Sequence, residues 1–518
     1  MNETNRVVKN TFILYGRMAI TVFFSLYTTR LTLSALGVTD FGIFNVVAGA
    51  ILLLTFLNTA MSAATQRFMS YAEGAGDTAK LKSIFNVSVV LHLIIAAMVL
   101  VVLEAVGYFL FNGVLNIPEA RIGVARVIYQ FMIFSTLFTI ISVPYDAVIN
   151  AHENMFLFAI LGVIEAVLKL AIAISLLHTS WDRLTQYGAL TVLLSIFLLL
   201  IRRIYCHRKY AECEIKIRLY FNRPIFKEMT SFAGWSFLGS SSSILANYGQ
   251  GIVMNMFFGT VVNAAQGIAN QVSGQLSAFA GTMQKALNPM IAKSEGGGKR
   301  EFMLKASMAG SKISFFLLMF FFIPVLLEMP YIFSIWLKNV PDYAIIFCRL
   351  LLIKNLIEQT FVTLNSTIAA VGNIKKFQIY SSVLTLFPLP ISYFLFANSY
   401  PPYFIYIIFI GYALLYGLLT LYFANRTCGL SIITYYKEVI VKCILLFSLV
   451  LGISYVPVFF FEEGVKRLLS VLILSTVSFS FLVFFIGFSA EERSGGVSMV
   501  RSILSKLPVL KKKYYTKL

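Results

Sequence analysis

Apolar segments about twenty residues long recur along almost the whole chain, and the polar stretches between them are short. A bilayer core is about 30 Å thick and takes about 20 mostly apolar residues per helix. Within it every backbone N–H and C=O must be paired inside the chain, so segments of this kind fold as membrane-crossing helices. The spacing predicts helices near 12–35, 41–66, 84–112, 123–148, 156–178 and 184–205. After a polar break come 229–257, 263–290, 306–328, 343–370, 378–397 and 402–424, with two more near 438–460 and 468–488. The expectation is an all-α membrane protein of about 14 transmembrane helices.

Composition excludes the soluble alternative. Hydrophobic residues are 58% of the 518 and charged residues 13%, with mean hydropathy +0.82. A soluble domain keeps roughly a quarter of its residues charged to cover its surface. The net charge of +19 does not point to nucleic acid, because the Lys and Arg lie between apolar runs rather than in a groove-forming domain. Five cysteines have no metal-like spacing, and Cys206 and Cys213 lie in a basic stretch where thiols stay reduced. No cofactor and no metal site are expected. Residues 1–10 are polar and precede no cleavage-like site, so no removable signal peptide is expected.

The loop charges give orientation. With the N-terminus cytoplasmic, 28 Lys/Arg fall on the cytoplasmic side, five on the opposite side (Arg121, Arg183, Lys338, Lys466, Arg467) and nine within or at the edges of spans. The positive-inside rule therefore places both termini in the cytoplasm.

The strongest polar break, 206–228, divides the first twelve helices into two sets of six, and an internal repeat appears at that division. Gly37, Glu73, Gly74 and Gly76 return 222 positions later as Gly259, Glu295, Gly296 and Gly298. Pro118 and Arg126 return as Pro341 and Arg349, and Ala151 and Asn154 as Ala370 and Asn373. Six is even, so the sets enter the membrane with the same polarity. The expected plan is two parallel lobes, 1–205 and 229–427, with a linker at 206–228, two further helices within 428–490 and a basic cytoplasmic tail at 491–518. A substrate site would lie between the lobes.

Polar residues inside spans face protein or water rather than lipid. The eighth helix carries Gln266, Asn270, Ser273, Ser277, Gly281, Gln284 and Asn288 on one face. The seventh carries Ser236, Ser240, Ser243, Asn247 and Gln250, and the second Asn58, Ser62, Thr65 and Gln66. Each stripe has two readings, helix packing through small and hydroxyl side chains or the wall of a hydrated cavity. Glu165 with Lys169, and Lys354 with Glu358, are spaced to form intrahelical ion pairs; either carboxylate is also a candidate for coupling to H+ or Na+. Arg17, Arg30, Arg67 and Lys285 have no such local partner and make a candidate anion site, phosphate being the natural match for the guanidinium fork. Arg17 and Arg30 lie about 140° apart on a straight helix, and Arg67 has the alternative of snorkelling at the headgroup level. Gly37, Pro144 and Gly259 are weak hinge candidates.

LSALGVTDFGIFNVVAGAI (33–51), FLNTAMSAATQRFMSYAEGAGD (56–77) and VPYDAVINAHENM (143–155) resemble the polysaccharide-biosynthesis branch of the multidrug/oligosaccharidyl-lipid/polysaccharide (MOP) superfamily, which includes O-antigen flippases and is related to MATE exporters. The resemblance implies a V-shaped, alternating-access pair of six-helix lobes. It also implies an undecaprenyl-pyrophosphate-linked oligosaccharide as substrate (an O-antigen, capsule or exopolysaccharide repeat unit), flipped across the bacterial inner membrane. Polysaccharide assembly proteins and membrane lipids would be its partners. Related flippases keep cations in the first, second and eighth helices, the helices that hold Arg17 or Arg30, Arg67 and Lys285 here. MATE-like exporters of small organic cations, the alternative, use a carboxylate in the first helix, and none occurs between Glu3 and Asp40. A membrane glycosyltransferase would need paired carboxylates in an outer loop, where only Glu462 and Glu463 adjoin; no enzyme activity is expected.

Overall fold

The computed structural model describes residues 3–52, 55–111, 118–337, 340–489 and 492–493; the tail from 494 onward and Lys338 lie outside the described residues. The described chain is helical, with no strand among the described residues. In order come α1 (Glu3–Leu52), α2 (Thr55–Ala75), α3 (Thr78–Phe109), α4 (Glu119–Ala151), α5 (Met155–Ser175), α6 (Arg183–Lys209) and a short α7 (Ile217–Tyr220). Then follow α8 (Arg223–Gly296), α9 (Arg300–Trp336), α10 (Ala344–Gln359), α11 (Val362–Val371), α12 (Lys375–Leu386), α13 (Pro388–Ala397) and α14 (Phe404–Cys428). The chain closes with α15 (Ile432–Tyr435), a π-helical turn, α16 (Lys442–Phe460) and α17 (Val465–Leu482). Ten helical stretches among the described residues are long and apolar enough to cross a membrane. The protein is a multi-pass membrane protein.

Two of the helices are really hairpins. In α1, Gly37 has φ 77° and ψ 171°; in α8, Gly259 has φ 73° and ψ −169°. That region of backbone space is open essentially to glycine alone, so each glycine breaks its helix and turns the chain without a loop. Side-chain contacts on either side of Gly37 confirm the reversal. Asn10 donates to the Glu153 carbonyl (3.3 Å) at the face bearing the N-terminus, while Ala35 O accepts from Arg183 (2.8 Å) and Asp40 from Arg121 (2.9 Å) at the far face. Beyond it, Arg67 is back at the N-terminal face. With both breaks counted, and with α10–α11, α12–α13 and α15–α16 each read as one interrupted crossing, the architecture is compatible with fourteen passes. Among the described residues the two arms of α8 and the interrupted α10–α11 do not qualify. The arms of α8 are two of the passes for which a polar stripe is expected.

The repeat closes the N-terminal face. A Cβ on Gly74 would run into the carbonyl of Lys293, and a Cβ on Gly296 into the carbonyl of Tyr71. Tyr71 and Lys293 are themselves 222 apart, so the two contacts are one contact seen from both lobes, the signature of a twofold relation. Only glycine permits backbones to approach this closely. Gly76 (φ 70°) and Gly298 (φ 72°) then end the two crossing helices in matching left-handed caps.

The last two crossings dock on α9 through buried ion pairs at both faces. Arg467 forms a two-pronged pair with Glu328, which is 0% exposed (2.9 and 3.2 Å). Lys312, also buried, meets Glu492 at 2.9 Å.

Candidate functional site

The lobes touch in the half of the molecule nearest the N-terminal face. Tyr15 donates to Phe279 O (2.7 Å), Thr11 and Thr282 reach the sulfurs of Met283 and Met18 (3.4 Å each), and Phe68 meets Phe232 edge-on. Leu14, Met155 and Ala286 make a small apolar floor there. Above that floor, α1 exposes Val22, Phe23 and Tyr27, and the second arm of α8 exposes Gly267, Asn270, Gln271, Gly274, Gln275, Ala278 and Lys285 along one continuous face. This face is polar and free of large apolar side chains, so it suits water rather than lipid. Its lower part, at Phe279 and Thr282, packs on α1, so the exposed part lines a cleft between the lobes, open toward the far face.

Two of the four candidate cations come together at the base of this cleft. Arg17 stacks over Phe158 (4.6 Å to the ring centroid) and lies against Gly162, so close that a Cβ there would strike its guanidinium. Its Nε is buried with no hydrogen-bond partner among the described residues. Glu165, Asp146 and Arg202 lie within its electrostatic reach, and its charge acts on Lys285 across the lobe boundary. Asp146 is already held by Arg202 (2.7 Å) and Glu165 by Lys169 (2.7 Å). The cluster therefore has four cations and two committed carboxylates, an arrangement that favours an anion. Lys354 and Glu358 also pair as their spacing predicts (2.9 Å).

The other two cations lie elsewhere. Arg30 is exposed near the far end of the first pass and makes no ion pair among the described residues. Arg67 neither enters the cleft nor snorkels. It donates to Ala369 O (3.1 Å) and Ala370 O (2.8 Å) in the last turn of α11, with Phe68 and Tyr71 against its guanidinium. A helix C-terminus presents unpaired carbonyls and a partial negative charge. Arg67 thus ties the first lobe to the second beside the glycine crossing.

An ionic cluster completes that seal. Glu73 receives His152 Nδ1 (3.2 Å) and Lys293 (3.4 Å), and His152 Nε2 reaches Glu212 at 2.5 Å while its ring stacks on Tyr210. Burial opposes the His152 charge, but hydrogen bonds to Glu212 and Glu73 outweigh it and lift its pKa from 6.5 to about 9. The same His152 hydrogen bond, ahead of burial, holds Glu73 below the usual carboxylate range. The quoted 143–155 segment is therefore largely a sealing segment: its Asn154 caps α5 and its His152 knits the face together.

The stripes divide between both readings. On the second arm of α8, Ser273 and Ser277 accept from Asn355 (2.5 and 3.2 Å), Gln284 meets Gln359 (3.4 Å) and Asn288 meets Ser366 (2.7 Å). That part is packing against α10 and α11 within one lobe. Gln266 and Asn270, nearer the Gly259 turn, line a pocket of about 320 Å³ with Asn247, Tyr248, Gly251, Asn263 and Gly267. Ser240 is half-buried on the first arm; Asn58, Ser62 and Gln66 are half-buried on α2, where Asn58 Oδ1 is buried without a partner.

The family described as polysaccharide biosynthesis protein matches residues 7–295, more than half of the chain. The chain belongs to that family. Among solved structures, a MATE mutant has a TM-score of 0.70 at 15% identity, covering 83% of this chain and 97% of that one. The outward-facing conformation of a multidrug resistance MATE transporter of the MOP superfamily gives 0.70 at 14%, with the same coverage. A MOP superfamily transporter from Pyrococcus furiosus, described as having a binding pocket of reverse polarity that suggests a different function, gives 0.66 at 14%, covering 83% and 98%. These likenesses establish the MATE-like fold. A comparison with curated proteins gives no match.

Within this polysaccharide-biosynthesis chain, sequence reading missed Gln271 and Gln275. They face the cleft, while Ser273 and Ser277 beside them do not. Both sets are polar at helical spacing, and only the position of α10 distinguishes them.

Proposed function

We propose that the protein is a flippase that carries an undecaprenyl-pyrophosphate-linked oligosaccharide across the bacterial inner membrane by alternating access. The observation that carries this reading is the Arg17–Lys285 pairing at the base of a polar cleft between lobes. The diphosphate sits between them, each cation contributed by one lobe. The sugars extend up the glutamine-bearing face of α8, and the prenyl tail stays in lipid. The sealed face is cytoplasmic, as the loop charges require, and on this reading the open cleft faces outward. The tail from 494 onward meets anionic headgroups on that side, and polysaccharide assembly proteins act as partners in the membrane.

Two like charges facing each other from opposite lobes repel unless an anion lies between them. Bound diphosphate therefore favours approach of the lobes, and its release favours their separation, which couples substrate occupancy to rocking. Glu165 and Glu358 are the carboxylates placed to couple H+ or Na+, each beside a lysine that a proton or cation would release. No carboxylate of the described first pass enters the cleft, which supports the flippase over a MATE-like exporter of organic cations.

The test is glycan export in cells dependent on this protein, with Arg17→Ala and Lys285→Ala. Loss of a charge-assisted contact predicts a fall of about 10- to 100-fold for each. Arg30→Ala, remote from the pair, should export normally. Wild-type export by both variants at normal protein levels refutes the reading. Transport of cationic dyes by reconstituted protein that is indifferent to lipid-linked sugar would favour the exporter.

A further inference from the structure

The pocket beneath the Gly259 turn has a chemistry distinct from the rest of the cleft. Its side chains are four carboxamides (Asn247, Asn263, Gln266, Asn270) and the Tyr248 phenol, with backbone exposed at Gly251 and Gly267. Among the described residues no charged side chain lines it. Gln266 is only 3% exposed, yet its Oε1 is buried with no hydrogen-bond partner among the described residues. It lies 3.6 Å, and Asn263 Oδ1 3.8 Å, from where a Cβ on Gly251 would stand, so both acceptors face the same glycine at the pocket wall. A buried amide oxygen without a partner is costly unless a ligand or water supplies a donor.

The internal repeat supplies an independent observation. Shifted by 222, Asn263, Gln266 and Asn270 correspond to Phe41, Phe44 and Ala48. In the first lobe these positions carry apolar side chains: Phe44 meets Tyr187 of α6 edge-on at 5.1 Å, and beside it Ile43 and Val47 are buried. The same stretch of hairpin thus carries apolar side chains in one lobe and carboxamides in the other. The carboxamides belong to the second lobe's sequence and not to the shared turn.

Its mouth, at Gly267 and Asn270, opens on the exposed face of α8 that runs through Gln271 and Gln275 to Lys285. Fifteen residues separate Asn270 from Lys285, about 22 Å of helix. We infer that this pocket is a subsite for an uncharged sugar, reading the end of the glycan remote from the diphosphate. Carboxamides offer a donor and an acceptor on one rigid group, which matches the paired hydroxyls or the acetamido group of a neutral sugar. An acidic sugar finds no cation to balance its charge, so the pocket discriminates against uronic acids. The inference rests on the flippase reading for its place in a lipid-linked chain; the sugar affinity of the pocket does not.

The test uses the full chain in detergent, with saturation-transfer NMR, which detects weak binding. The probes are N-acetylglucosamine, galactose and glucuronic acid; inorganic pyrophosphate, which has no carbon-bound proton to observe, is titrated separately by calorimetry. At least one neutral sugar should receive transfer, weakened about tenfold or more by Gln266→Leu and by Asn270→Ala, while glucuronic acid receives none. Asn270 is exposed, so its truncation leaves folding intact, and melting temperatures check both variants. Pyrophosphate binding should survive both variants and be lost in the Arg17→Ala, Lys285→Ala double variant. Absence of neutral-sugar transfer, its persistence in both pocket variants, or equal binding of glucuronic acid overturns the subsite. Sugar binding that depends on Gln266, in a protein that never binds pyrophosphate, keeps the subsite and removes the diphosphate site instead.

Discussion

The two lobes share a skeleton and differ in chemistry. The glycines that turn the hairpins (Gly37, Gly259), cross at the sealed face (Gly74, Gly296) and cap the crossing helices (Gly76, Gly298) all recur at one spacing, with matched backbone angles where the angles are unusual. The candidate anion-site cations do not recur. Position 17 is Arg in the first lobe and its counterpart is Gly239; Lys285 corresponds to Ala63, and Arg67 to Pro289. The first lobe concentrates intramembrane charge around Arg17, Asp146, Glu165 and Arg202, whereas the cleft-facing surface of the second is built from carboxamides with Lys285 at its foot. Backbone geometry is under common constraint because the lobes must close on each other symmetrically. Side chains away from the crossing are under no such constraint and have diverged.

This comparison can be broken at its strongest point. Gly74→Val and Gly296→Val each place a branched side chain against the other lobe's carbonyl, and if the crossing is truly reciprocal the two should behave alike. Each should hold the N-terminal face open, read as reaction of a cysteine placed beside the crossing with a membrane-impermeant thiol reagent. A large effect from one and none from the other would mean that the repeat does not govern closure.

A smaller effect is expected where the lobes have no counterpart. The last two crossings dock on α9, and Arg467→Ala leaves the Glu328 carboxylate buried and without that partner. Breaking such a pair costs about 3–5 kcal/mol, which should appear as a lower melting temperature in detergent. Restoration by Arg467→Ala combined with Glu328→Leu would show that the cost is the stranded charge and not lost packing.

The smallest expected effect is the pH dependence of the seal. His152 is protonated in the closed face with a pKa of about 9 against 6.5 when released. Its contribution is therefore complete below pH 6.5 and lost as pH rises toward 9. The Glu73 contribution has the opposite sign and fades only as pH falls below the ordinary carboxylate value of 4.5. Thiol accessibility at the N-terminal face should rise between pH 6.5 and 9 in the wild type and be flat over that range in His152→Gln. Accessibility that rises equally in both would assign the titration to another group.

Much of this protein was legible in its sequence. The apolar runs determined a helical membrane protein, because lipid leaves the backbone no other way to pair its polar groups. The 222-residue spacing of glycines marked matching positions in the two lobes, because left-handed and extended positive-φ backbone and direct backbone contact admit almost nothing else; that Gly74 and Gly296 cross each other is visible only in the fold. The i,i+4 pairs Glu165–Lys169 and Lys354–Glu358 were likewise local, and they form as spaced. What tertiary structure alone decided is which polar groups face the cleft. Arg67, Ser273 and Ser277 look like cavity residues by periodicity, yet α11 and α10 stand in front of them and take their hydrogen bonds. Gln271, Gln275 and the Gln266 pocket face open space because no helix covers them there. A helix's sequence fixes the angle at which a side chain leaves it, but only the packing of the other helices settles whether that direction leads to protein or to water.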